Sequence, residues 1–333
     1  MGTPLRESDV AEKLAGLEHR RVSVAKAVLS GGRRYLTFVL LLFLLACASV
    51  LSPSFLSANN LVSVAYGSSV LGIVALGQTM LLITGNFDMS VAGVIGAAGI
   101  ATLLLMPFGA IPAIFAGLGV GLAVGFLNGF IVIRTNASPF LVTLGTQLLL
   151  YGAGLAITQS QTLYGDDPFF NWIGQGVVLG VPVTLLAFLA LAALFQVVLA
   201  RTPYGRCLYA IGLNREAARL SGVPVNRIRL MSFMLSGLMA ALAGVALASR
   251  LNSITANAGL GYDFLSIIAA VLGGTSLFGG RGGAARTVAG TLVLGLLDNV
   301  LVLLGMTFAF EDIVRGAVFL LVVGFDRLSR EER

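Results

Sequence analysis

From Tyr35 onward the chain alternates between uncharged apolar runs and short polar breaks. A helix needs about 20 apolar residues to cross a hydrocarbon core about 30 Å thick. Ten stretches reach or approach that length: Tyr35–Ser52, Leu61–Ile83, Met89–Met106, Gly109–Ile133, Pro139–Thr158, Val177–Ala200, Leu230–Ala248, Phe264–Leu277, Val288–Leu304 and Ile313–Phe325. The eighth and tenth are short. The pattern predicts an all-α polytopic membrane protein with about ten transmembrane helices over residues 35–325. Cytoplasmic tails are expected at 1–34 and 326–333, so both termini lie inside. Composition agrees, with 57% hydrophobic and only 11% charged residues, against about 25% charged in soluble domains.

The longest polar interruption runs from Arg201 to Arg229 and holds six of the 21 basic residues. Within it, Asn214 is a good N-cap, and Glu216 falls in the first turn, where negative charge complements the helix dipole. Gly222 and Pro224 supply a stop. These signals predict a two-turn helix over Arg215–Ser221. Isolated helices shorter than about 12 residues are marginal in water, so this one needs a surface to dock on. Leu213, Ala217 and Leu220 fall on one stripe, with Arg215 and Arg219 on another. An ordinary basic loop and a docking segment both fit that pattern.

A formal net charge of +6 and a pI near 9.7 first suggest nucleic acid. The distribution argues otherwise. With ten crossings and an inside N-terminus, nineteen of the 21 basic residues fall on inner segments, and only Arg250 and Arg315 lie toward the outside. That is the positive-inside bias of membrane proteins. The outer face instead carries Asp166, Asp167, Asp263, Glu311 and Asp312. The basic charge therefore reports orientation, and no nucleic-acid partner is expected. Cys47 lies in the first run and Cys207 in the inner interruption, which rules out a disulfide framework. Leu-Leu-Ala-Cys at 44–47 superficially resembles a lipoprotein cleavage site. It follows a 34-residue polar stretch and precedes nine more runs, so an uncleaved anchor is expected.

Glycine is abundant, with 42 residues. Gly117, Gly121, Gly125 and Gly129 form a ridge along the fourth run, which suits either close helix packing or a conduit of bare backbone. Polar residues inside apolar runs are candidates for a translocation path or for helix interfaces. Gln78, Asn86, Asp88 and Ser90 gather where the second run meets the third, with Asp88 expected at the inner interface as an N-cap. Asn128 and Gln147 lie in or near the fourth and fifth runs. Asp298, followed by Asn299, lies within the ninth. An intramembrane carboxylate costs at least about 2.5 kcal/mol on insertion scales, so it should face protein or water. It suits a solute path, a proton relay or a hydrogen bond between helices. Arg315 is expected to pair with Glu311 one turn earlier.

Several chemistries are missing from the sequence. Lys13 and Lys26 both lie in the N-terminal tail, so no phosphate-binding G-x-x-x-x-G-K-[ST] loop exists. The Gly-rich stretch at 273–283 reads as a tight connection between helices. The single histidine, His19, is in the tail as well. No metal-ligand cluster or activated nucleophile is recognisable, and neither catalysis nor a bound cofactor is expected of this chain.

Four stretches carry a family resemblance: G-N-F-D-M-S-V-A-G at 85–93, N-G at 128–129 with P-F-L-V-T-L-G-T at 139–146, Y-A-I-G-L-N-R-E-A-A-R-L-S-G-V-P-V at 209–225, and L-G-G-T-S-L-F-G-G-R-G-G at 272–283. Together with the ten-run layout, they make the chain resemble the permease subunits of bacterial ATP-binding-cassette importers of the ribose and simple-sugar type. The first stretch departs from the usual G-G-I-D-L-S-V-G form at Asn86, Phe87, Met89 and Ala92.

The resemblance implies a coupling helix seated on an ATPase subunit, formed here by Glu216, Ala217, Ala218, Arg219, Leu220, Ser221 and Gly222. It also implies ATP-Mg bound only by those ATPase partners, a second permease subunit as homo- or heterodimer, and a solute-binding protein outside the inner membrane. The outer loops 159–176 and 250–263, with Asp166, Asp167, Arg250 and Asp263, are the expected docking surfaces for that protein. A secondary transporter or channel driven by an ion gradient is the alternative from another class. Asp298 is compatible with it, since such carriers place sites at broken helices near the midplane.

Overall fold

The chain's computed structural model describes residues 41–331 apart from 43, 47 and 51; the tail over 1–34, Cys47 and the last two residues lie outside the described residues. Helical residues within 41–50 (α1) lead to α2 (Ala58–Ile83), α3 (Val91–Leu105) with a 3-10 turn at Met106–Phe108, α4 (Ala110–Thr135) and α5 (Pro139–Thr158). Then come α6 (Pro168–Gln175), α7 (Val183–Arg201), α8 (Pro203–Leu213), α9 (Arg215–Leu220) and α10 (Val225–Leu251). The chain closes with α11 (Tyr262–Leu272), α12 (Ala284–Leu303) and α13 (Phe308–Glu331). Two short antiparallel ladders join β1 (Leu163–Tyr164) to β4 (Ser253–Ile254) and β2 (Val177–Val178) to β3 (Val181–Pro182).

Among the described residues, seven helices are long and apolar enough to cross a membrane: α2, α3 with its 3-10 extension, α4, α5, α7, α10 and α12. The chain is a mainly helical, polytopic membrane protein. Its centre is α2, buried without a break from Ser68 to Ile83 and packed by α7, α10, α11 and α12. α10 forms the second axis, against α3 and α4.

The glycine ridge of α4 is where α10 seats. A Cβ on Gly121 would strike the Gly237 carbonyl and Ala241, one on Gly125 would strike Phe233 and Met234, and one on Gly117 would strike Ala98 and Thr102 of α3. The ridge is thus filled by neighbouring backbone, the close-packing alternative, and no conduit runs along it.

Connections sort to two ends. At one, the Gly280 amide donates to the Ile83 carbonyl at 2.9 Å and the Tyr209 hydroxyl to the Gly282 carbonyl at 3.0 Å. At the other, β1 pairs with β4, and Tyr66 donates to the Gln175 carbonyl at 2.9 Å.

Two irregular segments turn back into the bundle. Residues 252–261 run down α3, with Ile254 against Gly99, Ala256 against Gly96 and Gly259 against Ala92. That is a descent of about 10 Å at 1.5 Å per helical residue. α11 starts from this depth, which explains why it has only 11 residues. The eighth run, expected as Phe264–Leu277, therefore ends at Leu272, where Gly273 and Gly274 break the helix and Gly274 takes a φ of 90°. Similarly, Val177–Pro182 of the sixth run form a hairpin, and the helix begins only at Val183.

Replacing Gly121 with Val is expected to separate α4 from α10 and to lower the thermal midpoint and folded yield of the detergent-purified protein. Gly119→Val is the control, since a Cβ there meets nothing within 4 Å. Equal midpoints for the two variants would refute the packing account.

Candidate translocation and coupling sites

The sequence-predicted polar residues assemble into two buried clusters and a third that is partly exposed. In the first, Gln78 of α2 faces the peptide of Asp88. Its amide nitrogen donates to the Asp88 carbonyl, and its oxygen accepts from the Asp88 amide at 3.1 Å. The Asp88 carboxylate accepts from the Ser90 amide at 2.9 Å, from the Ser90 hydroxyl and from Ser236 of α10 at 3.2 Å. Asn128 of α4 donates to Ser90 at 2.8 Å and accepts from Thr146 of α5 at 2.7 Å. Four helices thus meet on the 84–90 segment.

Asp88 is not the helix cap expected of it. α3 begins at Val91 after Ser90, and Asp88 lies two residues further back, holding the Ser90 amide. Nor does it lie at the interface. It is fully buried at the level of Asn128, which sits seven residues, about 10 Å, before the end of α4. The reason is that the chain folds back after Ile83 and begins α3 inside the bundle.

Asn86 belongs to a neighbouring contact, accepting from Arg229 of α10 at 2.8 Å and donating to Thr84. The second cluster is Gln147 of α5 donating to Asp263 at 3.2 Å. Asp263 was placed on an outer docking loop by sequence. It is instead 5% exposed in the first turn of α11, where the helix dipole favours a carboxylate. Its burial removes it from the docking surface.

The third cluster joins α2, α12 and α13. Asn60 and Asn299 exchange hydrogen bonds at 3.0 and 2.8 Å. Arg315 binds Asp298 at 3.0 Å, Glu311 at 3.0 Å and Asp312 at 3.1 Å. The Glu311 pair follows the one-turn spacing; the Asp298 bond is the hydrogen bond between helices that was one of its three readings, with Arg315 as the partner the sequence did not name. Beside this cluster lies a cavity of about 680 Å³ bounded by α2, α11, α12 and α13.

Of the remaining docking candidates, Asp166 is exposed, and Asp167 caps α6 by accepting the Phe170 amide at 2.9 Å. Arg250 lies over the Tyr66 ring, 4.5 Å from its centroid.

At the opposite end, the polar interruption contains two helices where one was expected. α8 was missed, although Thr202 before Pro203 is an ordinary helix start, with Thr202 accepting the Gly205 amide at 3.2 Å. α9 matches its expected bounds within a residue. Asn214 caps it by accepting the Ala217 amide at 3.0 Å, and Gly222, with a φ of 82°, ends it. Glu216 and Arg219 pair at 2.6 Å on the surface. The hydrogen bond from Arg219 holds the Glu216 carboxyl below the usual carboxylate range. Its contribution is lost only as pH falls through that lowered value, so neutral conditions leave it intact. Ala218 packs inward, while Leu213 and Leu220 are 73% and 77% exposed. α8 anchors this unit through Tyr204, bonded to Ser232 at 3.0 Å, and Tyr209. Burial pushes the Tyr204 hydroxyl up to about 12, so it stays protonated at neutral pH.

A multi-pass bundle with polar clusters inside it, and a short capped helix showing Ala217 and Leu220 at one end, fits a transport protein of the permease class. Residues 60–323 match the family described as "Branched-chain amino acid transport system / permease component", and the chain belongs to it. It is 38% identical to the ribose import permease protein of Escherichia coli (strain K12) over 312 residues, covering 89% of this chain and 97% of that one. It is also 34% identical to the D-allose transport system permease protein of that strain (89% and 92% covered) and 35% identical to its L-arabinose transport system permease protein (87% and 88%).

Gln78→Leu keeps the side chain's bulk but leaves the Asp88 amide and carbonyl without their partner. Each orphaned group is expected to cost about 1–3 kcal/mol, read as a lower thermal midpoint of the purified protein, with Gln78→Glu intermediate. An unchanged midpoint for Gln78→Leu would show that the segment is held by other means.

Proposed function

We propose that this chain is the membrane-spanning subunit of an ATP-driven, binding-protein-dependent sugar importer of a bacterial inner membrane. The observation that carries the proposal is α9. It has two turns, is capped at both ends, and holds Ala217 and Leu220 outward, with Leu213 at the end of α8 exposed beside them. Exposed apolar side chains beside a Glu216–Arg219 pair suit a groove on a protein partner.

In this reading, the partner is an ATPase subunit that supplies the ATP-Mg site, and residues Glu216–Gly222 form the contact. α1, α11 and α13 join the seven long helices as crossing or partly crossing elements, which gives ten, with both termini cytoplasmic. A second permease subunit, identical or similar, completes the membrane pair. The solute-binding protein docks at the other end, on the unit made by β1–β4, α6 and the β2–β3 hairpin, where Asp166, Trp172 and Leu179 are exposed. Closure of the ATPases then shifts the bundle between inward- and outward-open arrangements.

Relatives named for ribose, D-allose and L-arabinose support a neutral monosaccharide as the cargo. The ion-driven alternative loses its main support, because Asp298 is held by Arg315.

In cells carrying the complete importer, the double variant Ala217→Asp/Leu220→Asp is expected to reduce D-ribose, D-allose or L-arabinose uptake at least about tenfold, a loss of about 1.4 kcal/mol of coupling. Membrane insertion should be unchanged, and the ATPase subunit should no longer co-purify. Normal uptake with normal co-purification would remove α9 from the coupling role.

A further inference from the structure

We infer that the cavity between α2, α11, α12 and α13 is a membrane-depth site for a neutral, polyhydroxylated solute. The inference rests on the sugar-import reading and deepens it by assigning residues to the path. At about 680 Å³ the space falls within the range of roughly 300–1,000 Å³ typical of small-molecule sites.

Its charged lining is weighted to one sign. Arg315 gives Nε–H to Asp298 and one N–H each from Nη2 and Nη1 to Glu311 and Asp312, so three of its five donors are engaged by its own neighbours. Each carboxylate spends one oxygen on that guanidinium. What Asp298 and Asp312 still offer the cavity is acceptors, and three carboxylates against one guanidinium leave the cluster negative. Such a surface receives hydroxyl donors and turns away anions. The lining also includes an aromatic pair, Phe264 of α11 and Phe319 of α13, packed edge to face at 5.8 Å and suited to the C–H face of a sugar ring.

The cavity is also placed where lipid is a poor occupant. Asp298 and Arg315 retain 27% and 26% exposure within helices, and charges at membrane depth face protein or water. The irregular backbone at Gly261, with a φ of 91°, opens onto the same space. Irregular backbone at that depth is tolerated only against protein or an aqueous cavity.

Two glycines make the test direct. Gly67 and Gly316 line the cavity, and a Cβ on either meets nothing within 4 Å. Gly67→Cys and Gly316→Cys, each in a background with Cys47→Ser and Cys207→Ser, are labelled with a membrane-impermeant methanethiosulfonate in cells expressing the complete importer. Labelling is repeated with D-ribose, D-allose or L-arabinose, and with ribose 5-phosphate. A sugar that the cells import should slow labelling by the factor 1 + [L]/Kd, about tenfold at roughly nine times its Kd, and ribose 5-phosphate should not. Three results would overturn the site while leaving the import reading in place: no labelling at all, no protection by an imported sugar, or equal protection by the phosphate. If the unsubstituted importer carries none of the three sugars, the import reading fails, and the inference with it.

Discussion

A backbone amide inside a bilayer must find its partner within the protein, because no water is there to supply one. Helices meet that demand automatically, and irregular segments do not. At the 84–90 segment, three consecutive amides are each held by a side chain: Asp88 by Gln78, Met89 by Thr143 and Ser90 by Asp88. These bonds let α3 begin inside the bundle. Asn128 and Ser236 then tie the same turn to α4 and α10. A polar cluster that looks like a solute path in sequence is, in these bonds, the means of stabilising a broken helix.

Tight packing makes the second contribution. Gly121 and Gly237 face each other so closely that a Cβ on either would meet the other's carbonyl. Dispersion contacts at such short range hold helices together where apolar burial supplies no driving force between them. α4 and α10 therefore act as one piece, with α3 fitted along both. The less enclosed part lies on the other side of α2, where α13 packs on α11 and leaves the cavity above the Asp298–Arg315 pair.

Much of this was legible in the chain. Long apolar runs mark spanning helices because length and hydropathy are physical requirements of the bilayer. Asn214 and Gly222 mark α9 because caps act locally. Re-entrance was not legible. Asp263 reads as an outer-loop carboxylate because nothing local reveals that 252–261 descends along α3; the signal lies in Gly96 and Gly99, on a different helix. The shortness of α11 could have been taken from Gly273–Gly274. Asp298 was recognised as an expensive charge, but its partner Arg315 sits 17 residues away, beyond any helical periodicity. α8 was missed because Gly205 and Arg206, just inside it, masked the Thr-Pro start.

Asn214 has a double duty with a mechanical result. Its amide closes α8 on the Ala210 carbonyl, while its side chain opens α9 at Ala217. No slack residue separates the two helices, so they form a bent strut. Its α8 arm is fastened at two points, Tyr204 to α10 and Tyr209 to the loop that links α11 with α12. In the proposed coupling role, load applied at the tip of α9 would reach both the α4–α10 block and the loop behind the α11 half-helix. Such a forked lever would turn a single push into relative displacement of two parts.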